Sequence, residues 1–134
     1  MDKLDEVVRP LYTDAFTAGK DAAAVMDKVL ADGFQSIGSA DTKTKQQLIG
    51  QIQFFHKLVP DLRWDIQELM TCGNQVVVRS IASGTPNGDF MGVPTTGARK
   101  FPIMTIDIHR VERGQIQSVH HLEDWATALR QLKP

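Results

Sequence analysis

The chain has 134 residues, of which 42% are hydrophobic, with 15 Lys and Arg against 16 Asp and Glu for a net charge of −1. That length suits one domain able to build its own core, and the near-balanced charge argues against nucleic acid or an anionic membrane as the main partner. The one cysteine, Cys72, excludes an internal disulfide and a cysteine zinc site.

The opening residues MDKLDEVVRP are charged and lack the apolar run of a secretion signal. No stretch approaches the roughly 18 uninterrupted apolar residues of a membrane span. A soluble, cytoplasmic domain spanning residues 1–134 is therefore the expectation.

Leu4, Val7, Val8, Leu11, Tyr12, Ala15 and Phe16 recur in steps of three and four, which predicts a first helix over residues 2–18. Pro10 lies inside it and either kinks it or marks its start. Asp21 is placed to cap a second helix over Asp21–Leu30. Phe34–Ile37 reads as a short strand. A polar stretch, GSADTKT, leads into a third helix over Lys43–Leu58, which Pro60 stops. Beyond it the period falls to two. Leu62, Trp64, Ile66 and Leu69 alternate with polar groups, and Gly73-Asn74 marks a turn. Gln75–Gly84 is a strand, residues 85–99 a long loop, Phe101–Val111 and Gln115–Glu123 a hairpin, and Asp124–Leu132 a closing helix. Helices grouped ahead of an antiparallel meander indicate an α+β fold, its sheet curled around the first helix as a cone with one open end.

The last hairpin concentrates the chemistry. Alternation puts Thr105, Asp107 and His109 on one face of the first strand, and Ser118, His120, Leu122 and Asp124 on one face of the second. A two-residue turn at Arg113-Gly114 pairs Glu112 with Gln115, setting His109 opposite Ser118 and Asp107 opposite His120. A three-residue loop with Gly114 in a bulge turns Asp107 and His109 toward Val119 and His121 instead. The first register is preferred, because it leaves Met104, Ile106, Ile108 and Val119 together as an apolar outer face suited to a second subunit.

A carboxylate walled by Tyr12, Phe16, Trp64 and Leu122 has its pKa raised by desolvation, and an imidazole beside it opposes the rise. Such a pair can move a proton at a carbon next to a carbonyl. It reads equally as a structural Asp–His pair. Phe34, Ile52, Phe55 and Met91 complete the expected pocket. Asp124 also stands where it would cap the last helix. His120 and His121 point to opposite faces and cannot chelate one metal, and no HxxxH or HxH spacing supports one. The glycines of 84–97 do not form a phosphate loop, so neither metal nor organic cofactor is expected.

Three signals in order, Phe90-Met91-Gly92-Val93-Pro94-Thr95-Thr96-Gly97, Asp107-Ile108-His109-Arg110-Val111-Glu112-Arg113-Gly114-Gln115-Ile116 and Asp124 through Leu129-Arg130-Gln131-Leu132, resemble the SnoaL-like polyketide cyclase (ester cyclase) family of the nuclear-transport-factor-2-like superfamily. The resemblance implies a cone-shaped α+β barrel, usually a homodimer packed through its sheet, acting on a small apolar carbonyl compound without a cofactor. It implies Asp124 as general acid/base of an aldol ring closure, His109 beside it, and Asp107 as a further pattern match. Many members carry Glu-His-Trp-Asp where this chain has Ser118-Val119-His120-His121, so the pocket wall differs. A non-catalytic ligand-binding domain and an epoxide hydrolase or dehydratase on the same fold are the rival expectations.

Overall fold

The computed structural model describes residues 3–134. Helix α1 (Leu4–Pro10) runs without a break into a π-helical stretch, Leu11–Phe16. Pro10 has no N–H to give, and the widened turns after it keep both Tyr12 and Phe16 turned inward. Helix α2 (Ala22–Val29) starts at Asp21, whose side chain accepts from Ala24 N at 3.1 Å. Helix α3 (Lys45–Leu58) starts on a capping box between Thr44 and Gln47. Its buried Lys45 turns back to donate to the carbonyls of Asp27 and Leu30, both at 3.0 Å, tying α3 to the end of α2. Helix α4 (Trp125–Leu132) closes the chain.

The strands are β1 (Leu30–Ile37), β2 (Thr42–Thr44), β3 (Arg63–Cys72), β4 (Gln75–Gly84), β5 (Asn87–Phe90), β6 (Val93–Thr96), β7 (Phe101–Glu112) and β8 (Gln115–Glu123). Six of them form one curved, unclosed sheet in the order β2-β1-β8-β7-β4-β3. All neighbours are antiparallel except β1 and β8, which lie parallel. That parallel pair, joining the first strand to the last, has no local sequence signal and departs from the all-antiparallel meander. Register shifts in the β1–β8, β3–β4 and β7–β8 ladders interrupt the pairing. Bulges of this kind bend strands and increase their twist.

Residues 85–99 are not a plain loop. They hold a separate two-stranded hairpin, β5 with β6, turning at Met91-Gly92 with φ of 52° and 85°. Positive φ at both corner positions is the tight-hairpin geometry, and a methionine there gives no sequence warning of it. Among the described residues no helix is long and apolar enough to cross a membrane.

The concave face carries the core. Along β7, Phe101, Ile103, Thr105, Asp107, His109 and Val111 are buried, while Met104, Ile106 and Ile108 are exposed. The period-two reading of this strand holds over its whole length.

Candidate active site

The turn after β7 has two residues, as the preferred register required. Arg113 and Gly114 both adopt positive φ, at 53° and 75°, and Glu112 pairs with Gln115. A register shift then falls between Arg110 and Val111, with Gln117 as the extra residue on β8. One added residue turns every later side chain to the other face. Asp107 consequently pairs with His121 rather than His120, and His109 with Val119 rather than Ser118. Val119, expected outside, is 5% exposed and faces in. His120 pairs with Ile108 and is exposed, on the face opposite Asp107.

Asp107 and His109 are 3% and 1% exposed. Between them stands the Tyr12 hydroxyl, 2.6 Å from Asp107 Oδ2 and 2.6 Å from His109 Nε2. The hydroxyl has one proton, and it donates that proton to the carboxylate. His109 must then donate from Nε2 to the Tyr12 oxygen, which leaves Nδ1 as a lone pair; that atom is buried without a hydrogen-bond partner. The result is a directed chain, His109 to Tyr12 to Asp107, ending on Oδ2. Oδ1 stays available to the cavity.

Burial dominates the titration of all three groups. It raises Asp107 to about 7, with Glu123 adding to the rise while the Tyr12 hydrogen bond and His121 oppose it. Burial lowers His109 to about 3, so the ring is neutral. Tyr12 is pushed well above its ordinary value by burial and then by Asp107.

Asp107 and His109 form part of the wall of a cavity of about 320 Å³. Such a volume lies at the small end of the range for ligand sites, roughly 300–1,000 Å³. Phe16, Ile52, Phe55 and Trp64 line it, and Leu122 borders it although 63% exposed. The aromatic wall has two ring pairs, Phe16 against Trp64 at 5.1 Å and Phe55 stacked on Trp125 at 5.9 Å between centroids. Trp64 Nε1 donates to Thr105 Oγ1 at 3.1 Å, which fixes the indole from behind.

Three expected pocket residues lie elsewhere. Tyr12 is fully buried behind Asp107, Phe34 is core, and Met91 sits exposed at the tip of the β5–β6 hairpin. Asp124 lies outside the cavity wall as well. It is exposed and caps α4, accepting from Thr127 N at 3.2 Å and Thr127 Oγ1 at 2.6 Å, and these bonds hold its carboxyl below the usual range. Capping therefore accounts for the position of that aspartate.

The bulge also turns two titratable residues that the sequence reading missed, His121 and Glu123, into the cavity wall. His121 Nδ1 lies 2.8 and 3.1 Å from the two oxygens of Glu123. The Glu123 hydrogen bond and charge raise the His121 pKa, Asp107 adds to this, and partial burial and Lys43 oppose it. The β1–β2 connection, with Gly38 and Asp41, forms the rim beside them. Among the described residues no three His, Cys, Asp or Glu side chains converge as a metal site.

The fold matches solved structures over nearly all of both chains. A protein from a Jannaschia species, assigned as a SnoaL-like polyketide cyclase, is 21% identical over 97% of this chain and 91% of its own, and superposes with a TM-score of 0.87. IdmH of Streptomyces antibioticus, assigned as a polyketide cyclase, is 26% identical over 98% of this chain and 99% of its own, with a TM-score of 0.84. A Catenulispora acidiphila protein with a ketosteroid isomerase-like fold, solved with trimethylamine, is 18% identical over 96% and 94%, with a TM-score of 0.78. No curated protein matches the chain. The family model for SnoaL-like polyketide cyclases matches residues 6–132, and the chain belongs to that family.

Proposed function

We propose that this chain is a cofactor-independent acid–base enzyme that removes a proton beside the carbonyl group of a small, largely apolar substrate, in enolisation or aldol ring closure. Asp107 is the base. The observation that carries this reading is a single one: a carboxylate 3% exposed, tuned by burial to about 7, with one oxygen held by Tyr12 and the other left to an aromatic cavity. A base poised near neutrality combines availability with proton affinity. Tyr12 positions Asp107, and His109 positions Tyr12. The Asp–His pair of this reading is thus Asp107 with His109, bridged by a phenol, and the exposed Asp124 takes no part.

The test is exchange of the α-hydrogens of a small aryl ketone in D2O, followed by proton NMR. Asp107→Asn is expected to slow enzyme-dependent exchange by at least ~100-fold while keeping the wild-type circular dichroism. Exchange at the wild-type rate in that folded variant would refute the assignment.

One observation favours a second reading, a non-catalytic binding domain. Both Asp107 and His109 already have hydrogen-bond partners within the protein and little exposure. Tight binding of aryl ketones without exchange would select it. The epoxide hydrolase reading needs an arginine beside the carboxylate, and no arginine lines this cavity among the described residues.

We also propose a homodimer through the convex face of the sheet. Met70, Ile81, Met104, Ile106, Ile108 and Leu122 are 37–63% exposed on strands of that sheet. Contiguous apolar patches of this sort mark interfaces. Sedimentation as a monomer at micromolar concentration would count against it.

A further inference from the structure

We infer that His121 is the group that gives a proton to the substrate's carbonyl oxygen, with Glu123 as its positioning residue and Gly38 leaving room for its ring. The inference rests on Asp107 as the base and supplies the second partner that enolisation needs.

His121 lies directly across from Asp107 on the neighbouring strand, and both belong to the cavity wall. Glu123 accepts the Nδ1–H hydrogen bond through two contacts, at 2.8 and 3.1 Å. That fixes the ring and leaves Nε2 as the working atom. Nε2 overlies Gly38, where an added Cβ would come within 3.0 Å of it and 3.1 Å of Cε1. Gly38 is itself a wall residue, so the Nε2 edge of the ring sits at the cavity rim. The imidazole is half-buried, its side chain 26% exposed, so ligand can reach it.

The charges around it favour the imidazolium. Glu123 on its own strand and Asp107 on β7 are acidic. Lys43 on β2 opposes them, and Lys43 is itself paired with Asp41 at 2.9 Å. The imidazolium is thus favoured directly across the strand pair from Asp107 in the same cavity wall, the pairing of acid and base that a proton transfer starts from.

The step balances without a co-reactant. The Asp107 carboxylate takes hydrogen from the carbon beside the carbonyl. The C–H electron pair becomes the new C=C bond, and the carbonyl π pair moves onto oxygen, which takes the Nε2 proton of His121. Enol, neutral carboxylic acid and neutral imidazole result, with the Nδ1–H still donated to Glu123. Reversal at the same or another carbon restores both groups. The substrate this fits is an uncharged, flat aryl ketone, its oxygen at the rim by His121 and its rings among Phe16, Ile52, Phe55 and Trp125.

The test uses 2-tetralone as substrate and 2-naphthol as the stand-in for its enol. His121→Gln is expected to slow 2-tetralone exchange by at least ~100-fold. Glu123→Gln is expected to cause a smaller loss and to move the high-pH limb of the rate profile to lower pH, which a merely structural residue would not do. Gly38→Ala is expected to slow exchange by crowding Nε2. Independently of turnover, saturating 2-naphthol is expected to shift the pH at which the His121 imidazole loses its proton, read by NMR. The inference falls if that titration does not move, if 2-naphthol fails to bind at millimolar concentration, or if His121→Gln exchanges at the wild-type rate. A dead Asp107→Asn beside a fully active His121→Gln keeps the base and removes His121. An active Asp107→Asn with a 2-naphthol-sensitive His121 removes the base and keeps the oxygen site.

Discussion

Two imidazoles sit within one strand pair and titrate in opposite directions. His109, 1% exposed, is pulled down to about 3, and His121, at the rim, is raised. The leading cause differs. For His109 it is desolvation alone; for His121 it is the Glu123 hydrogen bond, with desolvation second and opposed. A nearby carboxylate decides the outcome only where water still reaches the ring. Deep in the wall, His109 hydrogen-bonds to a neutral phenol instead and remains a neutral donor. The same residue type thus serves as a fixed hydrogen-bond donor at one depth and as a proton carrier at the other.

The deep end carries the largest expected effect. Asp107 is raised from 3.8 to about 7, so between about 4 and 7 the folded chain holds a proton that the unfolded chain releases, and stability falls as pH rises. His109 is lowered from 6.5 to about 3, so between about 3 and 6.5 the unfolded chain takes a proton that the folded chain refuses, and stability rises with pH. From about 4 to 6.5 the two slopes are opposite and each is worth one proton. Wild-type stability should be nearly flat there, while Asp107→Asn should gain about 1.4 kcal/mol per pH unit. Urea midpoints at half-unit steps in pH check this. Parallel curves for the two proteins would dismiss the opposed titrations.

Tyr12→Phe sharpens the comparison from the hydroxyl outward. It strands the His109 Nε2 proton and removes the one hydrogen bond that lowers Asp107. A loss of about 1–3 kcal/mol is expected from the unpaired buried donor. The acidic limb of the exchange profile should also move to higher pH, because a base with less support for its charge ionises later. The rim should respond less. Glu123→Gln should bring the His121 titration down in NMR but cost under about 1 kcal/mol, since partly exposed pairs are weak. A stability loss from Glu123→Gln equal to that from Tyr12→Phe would erase the distinction between depth and rim.

The deep end was also the more legible in sequence. Strict alternation along β7 gave the inward face of Thr105, Asp107 and His109, and steps of three and four put Tyr12 and Phe16 on the buried side of the first helix. The bounds of β4 and β8 and the cap at Asp21 follow from turn and capping residues. The rim was not legible, because it depends on one extra residue. Gln117 has no composition that announces a bulge, yet it exchanges His120 for His121 and Leu122 for Glu123 on the inner face. Asp124, the strongest motif residue, proved to be a helix cap, a role its place before Trp125-Ala126-Thr127 already allowed. The parallel β1–β8 pair and the partners of Tyr12, 95 and 97 residues away, are long-range contacts with no periodicity of their own.

The smallest expected effect concerns the turn that starts this register. Arg113 holds φ at 53° beside Gly114 at 75°, a left-handed conformation that a long, charged side chain adopts at a cost. Asparagine bonds locally to its own backbone and enters that region more easily, and Asn-Gly is the favoured pair for this turn. Arg113→Asn should therefore raise stability by a few tenths to about 1 kcal/mol. It should leave the Gln117 bulge, and hence the His121 titration, unchanged. If the bulge were instead a strain relief for arginine at the corner, the asparagine variant would allow the ladder to close without it. His120 would then replace His121 beside Asp107, and the imidazole titration by NMR would show the exchange. Since Glu112 already pairs with Gln115 in a regular two-residue turn, the bulge lies outside the corner and should survive the substitution.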